Sequence, residues 1–129
     1  MFKKYLSLNL LVLVLFIADR ILKLYFLKNP TKEIGGDFFK LNFETNTGMA
    51  FGLSINQIAL LVLIVIILIA LINILVRAYF EKNLLEIFTI TLIIAGAISN
   101  LIDRLRYGFV IDYIYAAIFC RGDHPEILF

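Results

Sequence analysis

Residues 96–112 read GAISNLIDRLRYGFVID. The stretch begins inside an apolar run and leaves it carrying Asn100, Asp103, Arg104 and Asp112. Asn100, Asp103 and Arg104 stand at i, i+3 and i+4, the spacing that brings side chains onto one face of a helix. Ionisable groups at the end of an apolar helix cost free energy, so they are usually paired or functional. Gly108 predicts the helix end. Phe109, Val110 and Ile111 then predict an extended lead-in that delivers the Asp112 carboxylate to the boundary of the apolar layer.

Outward from this stretch, the composition explains why there is an apolar layer at all. The 129 residues are 62% hydrophobic and only 17% charged, with a mean hydropathy of +0.96. A water-soluble domain of this length carries far more charge, so the chain reads as an integral membrane protein. Spans are expected at about 6–27, 58–76 and 84–102, each close to the roughly 20 residues a helix needs to cross. Lys3 and Lys4 before the first apolar run also suit a secretory signal. However, Asp19 and Arg20 stand where a small-residue cleavage site belongs, which favours an uncleaved span.

Between the first two spans, residues 28–56 are polar and rich in turn residues, with one half-buried strand expected near 38–43. The tail, 113–129, opens with an apolar piece too short to cross. The whole reads as one membrane domain, 1–129. Three spans put the 28–56 loop and Asp112 on the same side, so the loop is expected to meet Asp112. Lys28, Lys32, Lys40, Arg104, Arg106 and Arg121 lie on that side, against Lys3, Lys4, Arg77 and Lys82 on the other. By basic residues alone, the loop side would be cytoplasmic.

Several chemistries are disfavoured. Cys120 is the single cysteine and His124 the single histidine, which leaves no internal disulfide, no metal centre and no Ser-His or Cys-His nucleophile. No basic stripe interleaved with aromatics suggests nucleic acid, and no cofactor is implied. A hydrolase built from this chain would depend on carboxylates. Asp112 is the sharpest candidate, since a partly desolvated carboxylate can bind and activate water.

Asp19 and Lys23, at i and i+4 with Arg20 between them, suit either a self-neutralised helix end or a polar cavity. Asn46, Gly48 and Gly52 mark a small-residue loop entering the second span. The spacings Ala95-xxx-Ser99 and Gly96-xxx-Asn100 suit close helix approach in lipid, with Asn100 bonding across the interface. Asp103 and Arg104 each need a partner, and Arg104 is suited to holding a carboxylate or phosphate.

Taken together, these residues resemble the signal peptidase II (lipoprotein signal peptidase) family. Asp19 to Lys23 is similar to its D-x-x-x-K element, Asn46 to Gly52 to its N-x-G-x-A-F-G loop, and residues 96–112 to its G-x-x-x-N-x-x-D-R-x-x-x-G-x-V-x-D signature. The resemblance implies an all-α polytopic protein of the bacterial cytoplasmic (inner) membrane with a small extracytoplasmic β element. It implies an aspartic endopeptidase that cleaves diacylglyceryl-modified prolipoproteins before the lipidated cysteine, using two aspartates. Asp112 would be catalytic. Asp19, Lys23, Asn46, Gly48, Asn100 and Arg104 would support the site or contact substrate, and Asp103 would be structural. The family's F-N-x-A-D motif, with its second aspartate, and its fourth helix have no counterpart in residues 1–129. The expectation is therefore three complete transmembrane helices, a tail altered near Cys120, and impaired activity. The alternative is a non-catalytic membrane protein of the same fold that binds lipidated peptides. A small transporter or channel subunit would share the intramembrane charges but not the ungapped signature.

Overall fold

The computed structural model describes residues 2–36, 39–48 and 56–116. In chain order they form α1 (Phe2–Lys28), β1 (Ile34–Gly35), β2 (Phe39–Asn46), α2 (Gln57–Glu81), α3 (Leu84–Tyr107) and β3 (Val110–Ala116). The protein is mostly helical with one small three-stranded sheet, and α3 is the central helix, packing on both α1 and α2.

Local chemistry sets the helix ends. Asn56 begins α2 by accepting from the Ile58 and Ala59 amides, which satisfies two of the first-turn donors. The helix runs past the expected end at residue 76 because Arg77 to Glu81 remain helix-compatible and Ala78 is fully buried. It stops at Lys82 in the left-handed conformation, φ 57°. Asn83 then caps α3 through the Glu86 amide, while its own amide donates to the Glu86 carboxylate. The two apolar helices are thus joined by a two-residue turn, Lys82–Asn83. Asn73, the one polar residue of the apolar run in α2, donates to the Ile69 carbonyl one turn back, so it needs no water. α3 extends beyond residue 102 to Tyr107, with Arg104 and Arg106 in its last turn, where cations suit the negative helix end. Gly108, φ 83°, closes it by donating to the Arg104 carbonyl.

α2 and α3 are both long and apolar enough to cross a membrane, and both leave nearly all their apolar surface uncovered by protein. Ile58 and Phe80 on α2 are 73% and 82% exposed. In water such a surface would drive association, whereas in lipid it needs no cover. α1 is as long, but Asn9, Asp19, Arg20 and Lys23 interrupt its apolar sequence.

The sheet has the order β1-β2-β3 and is antiparallel throughout. The expected strand in the 28–56 loop exists, but it extends to Asn46, and it meets the Asp112 segment as an antiparallel strand partner. The start of the tail, read as a short apolar piece, is the strand β3. Asn46 pairs with Val110 and Glu44 with Asp112, and the register shifts between Leu41 and Glu44. Gly35 is required at the β1–β2 turn. Its φ is +126°, and a Cβ there would run into the Phe39 carbonyl.

Candidate functional site

Asp19, Arg20 and Lys23 occupy one turn of α1 and meet Ser99, Asn100 and Asp103 on α3. Arg20 Nη1 donates to Asp103 Oδ1 at 2.5 Å and to the Ser99 carbonyl and hydroxyl oxygens, each at 3.1 Å. Lys23 Nζ donates to Asp103 Oδ2 and to Asn100 Oδ1, each at 2.7 Å. Asp103 has none of its surface exposed and Lys23 only 4%. Removing such charges from solvent costs several kcal/mol per ion, roughly, and only close, fully hydrogen-bonded pairing offsets it. Here two cations and two carboxylates balance.

The cluster also grips the sheet. The Ile111 amide donates to Asp103 Oδ2 at 3.3 Å. The Tyr113 hydroxyl donates to Asp19 Oδ1 at 2.9 Å, and Asp19 Oδ2 accepts from the Ser99 hydroxyl at 2.5 Å. The Tyr113 ring stacks on buried Phe26, with centroids 6.2 Å apart. Burial, followed by the hydrogen bond to Asp19 and its charge, pushes the Tyr113 phenol up from 10.0 to about 12. It therefore stays a donor at any physiological pH.

Both neighbours of Asp112 are thus fixed on the cluster side of β3. Strand alternation turns Asp112 to the opposite face. Directly across on β2 stands Glu44, and the two side chains share that face with Asn46. Asn42 joins them by donating to Glu44 Oε1 at 3.2 Å. Among the described residues, the Asp112 side chain forms no hydrogen bond or ion pair.

The end of β2 is held from α3. Arg104 Nη2 donates to the Gly48 carbonyl at 2.9 Å, and Asn46 Oδ1 accepts from the Gly48 amide at 3.0 Å. Within the described residues the partner of Arg104 is this backbone carbonyl, and its Nε is buried without one. The close-packing reading holds for Ser99, which is buried, but not for Gly96. Gly96 is exposed, and a Cβ there would meet nothing within 4 Å. It borders an open cleft of about 250 Å³ between α1 and α3 that reaches Asp19 and Ser99. Gly52 and the tail residues Cys120, Arg121, Asp123 and His124 lie outside the described residues.

Of the residues singled out in the sequence, Asp19, Lys23, Asn100 and Asp103 come together in the cluster. Asn46, Gly48 and Arg104 join at the loop, and Asp112 lies between the two groups on β3. Sequence reasoning missed the roles of Arg20, Ser99, Tyr113 and Glu44. Tyr113 and Glu44 become visible only once β2 and β3 are paired. Their one sequence signal is the alternation Asn42, Glu44, Asn46 and Ile111, Tyr113.

A charged cluster seated near the end of a membrane-capable helix, α3, with a carboxylate-bearing strand locked above it, defines a membrane protein whose polar site sits at the edge of its apolar layer. Comparison with known proteins agrees. The family described as Signal peptidase (SPase) II matches residues 11–125. A lipoprotein signal peptidase of Pelodictyon phaeoclathratiforme is 37% identical over 119 residues, covering 88% of this chain and 68% of the relative. That of Moorella thermoacetica is 34% identical over 113 residues, covering 85% and 74%. A bacterial membrane enzyme solved by the in meso method superposes with a TM-score of 0.70 at 28% identity, covering 91% of this chain and 72% of that one. The chain belongs to the signal peptidase II family, whose members are membrane proteases of the aspartic type.

Proposed function

We propose that this chain acts on diacylglyceryl-modified prolipoproteins in the bacterial cytoplasmic membrane, where it cleaves the peptide bond before the lipidated cysteine. α1, α2 and α3 would all span the bilayer, α1 burying its charges against α3, and the sheet would lie on the outer side. In this reading Asp112 binds the attacking water and takes its proton as the water adds to the scissile carbonyl. A second carboxylic acid would protonate the departing amine, since two neighbouring carboxyls share one proton more readily than both ionise. Asn46, Gly48 and Arg104 would shape the loop over the substrate. Asp19, Lys23, Asn100 and Asp103 would hold Asp112 in place.

The observation that carries this reading is Asp112, whose side chain pairs with nothing among the described residues, on a strand whose neighbours are anchored on both sides. Residues 1–129 contain no F-N-x-A-D element. We therefore expect a polypeptide of these residues to cleave slowly. The test is to express it with a lipoprotein precursor in cells depleted of their own enzyme and follow processing. Slow cleavage abolished by Asp112→Asn is the expected result. Cleavage that persists in that variant would remove Asp112 from the reaction, and full-rate, Asp112-dependent cleavage would overturn the impairment. The alternative reading is a non-catalytic protein of the same fold that binds lipidated peptides. Absence of all cleavage together with retained lipopeptide binding would establish it.

A further inference from the structure

The face of the sheet that carries Asp112 carries a second carboxylate. Glu44 is the direct cross-strand partner of Asp112, which puts the two Cβ atoms about 5 Å apart on one face. Like charges placed opposite one another oppose strand pairing. Among the described residues no cation pairs with either, and Glu44 receives only the Asn42 amide. Among the described residues the other carboxylates of this end are engaged: Asp19 and Asp103 in the cluster, Glu33 with Lys40. Among the described residues, a negative charge with no paired cation therefore remains on the face from which Asp112 can reach a ligand.

We infer that Glu44 sets the charge preference of the site, favouring a basic and disfavouring an acidic residue just after the lipidated cysteine of the substrate. This rests on the peptidase or peptide-binding reading above. A substrate whose scissile carbonyl lies over Asp112 has its apolar signal segment along the helices, so the residues after the bond pass over the sheet. An extended chain advances about 3.3 Å per residue, so Glu44 comes within reach of the first or second residue beyond the cysteine. Unit charges at about 5 Å through partly hydrated surroundings interact strongly enough to shift affinity roughly tenfold between a lysine and a glutamate at that place. Exposed as it is, Glu44 is also screened, so the preference weakens as salt rises.

The test is a binding measurement, which does not require turnover. Residues 1–129 in detergent micelles are titrated with two diacylglyceryl-cysteine peptides that differ only in carrying Lys or Glu after the cysteine. The wild-type chain is expected to bind the Lys peptide about tenfold more tightly at low salt, Glu44→Gln to bind both alike, and Glu44→Lys to reverse the order. An unchanged preference in Glu44→Gln and Glu44→Lys, or no preference in the wild type, overturns the inference alone. Failure of the wild-type chain to bind either peptide overturns the functional reading, and the inference falls with it.

Discussion

Asp103 has no exposed surface and shares its oxygens among Arg20, Lys23 and the Ile111 amide. Asp112, a few residues later at the same end of the helices, has no such partner among the described residues. The first carboxylate is saturated by two cations and a backbone donor. It has little capacity left for a ligand. The second is unsaturated, and everything around it fixes its backbone while leaving its oxygens open. A charged group that the fold has fully paired serves the fold, whereas one that the fold positions without pairing is available to a substrate.

This contrast is broken most severely from the saturated side. Asp103→Asn leaves the Arg20 and Lys23 cations facing a neutral group in a site with almost no water. Loss of one partner from a buried ion pair costs about 3–5 kcal/mol, and the Ile111 amide loses a charged acceptor as well. The expected outcome in denaturant unfolding in micelles is a loss of that size, with α1 and β3 coming free together. A loss below about 1 kcal/mol would mean that water already solvates the cluster, as it does exposed pairs.

The saturated region was the more legible of the two in the sequence. Periodicity placed Asn100, Asp103 and Arg104 on one helical face, and the i, i+4 pair Asp19–Lys23 marked the facing turn of α1. Their helical register is a property of the local chain. What stayed hidden was pairing that depends on long-range closure. In the sequence Arg20 is only a residue between Asp19 and Lys23, yet it makes the shortest contact to Asp103. Ser99 fits the spacing of a small packing residue, whereas its hydroxyl joins Asp19. The start of β3, Val110 and Ile111, reads as extended, but from Tyr113 onward the sequence shows only an apolar piece too short to cross. It becomes a strand only when β2 offers an edge and the cluster captures Ile111 and Tyr113, a tertiary decision that overrides local pattern. The match to family motifs singles out Asp112 and Asn46 but cannot place Glu44 opposite Asp112, because cross-strand register is not written in either strand alone.

A smaller perturbation sharpens the comparison where the two regions touch. Tyr113→Phe keeps the ring on Phe26 and removes the hydroxyl that joins β3 to Asp19. One hydrogen bond is worth about 1 kcal/mol at neutral pH, so the variant should still fold. The more telling mark is its pH dependence. The phenol titrates at about 12 in the folded protein against 10.0 for the free group, so the folded state holds this proton more tightly. The stability it contributes is complete below pH 10 and is lost as pH rises from about 10 to about 12. The gap between wild type and variant in unfolding free energy should therefore be constant up to about pH 10 and shrink above it. A gap that stays constant through pH 12 would mean that the hydroxyl is solvated and does not tie the strand to the cluster.

The smallest effect on stability belongs to the residue with the largest expected effect on chemistry. Asp112→Asn removes a carboxylate that pairs with nothing among the described residues and faces another carboxylate across the strands. Its replacement leaves the volume and the strand backbone as they were. Unfolding should move by no more than a few tenths of a kcal/mol, roughly, and toward greater stability, because a like-charge pair has been relieved. Glu44→Gln should do the same, and the double variant should gain no more than either alone, since one repulsion can be removed only once. Asp112→Asn would at the same time abolish the slow cleavage expected of residues 1–129. A marked loss of stability in Asp112→Asn would reveal a hidden partner for this carboxylate and erase its difference from Asp103. The absence of that loss, together with loss of cleavage, would separate the group the fold uses from the group the substrate uses.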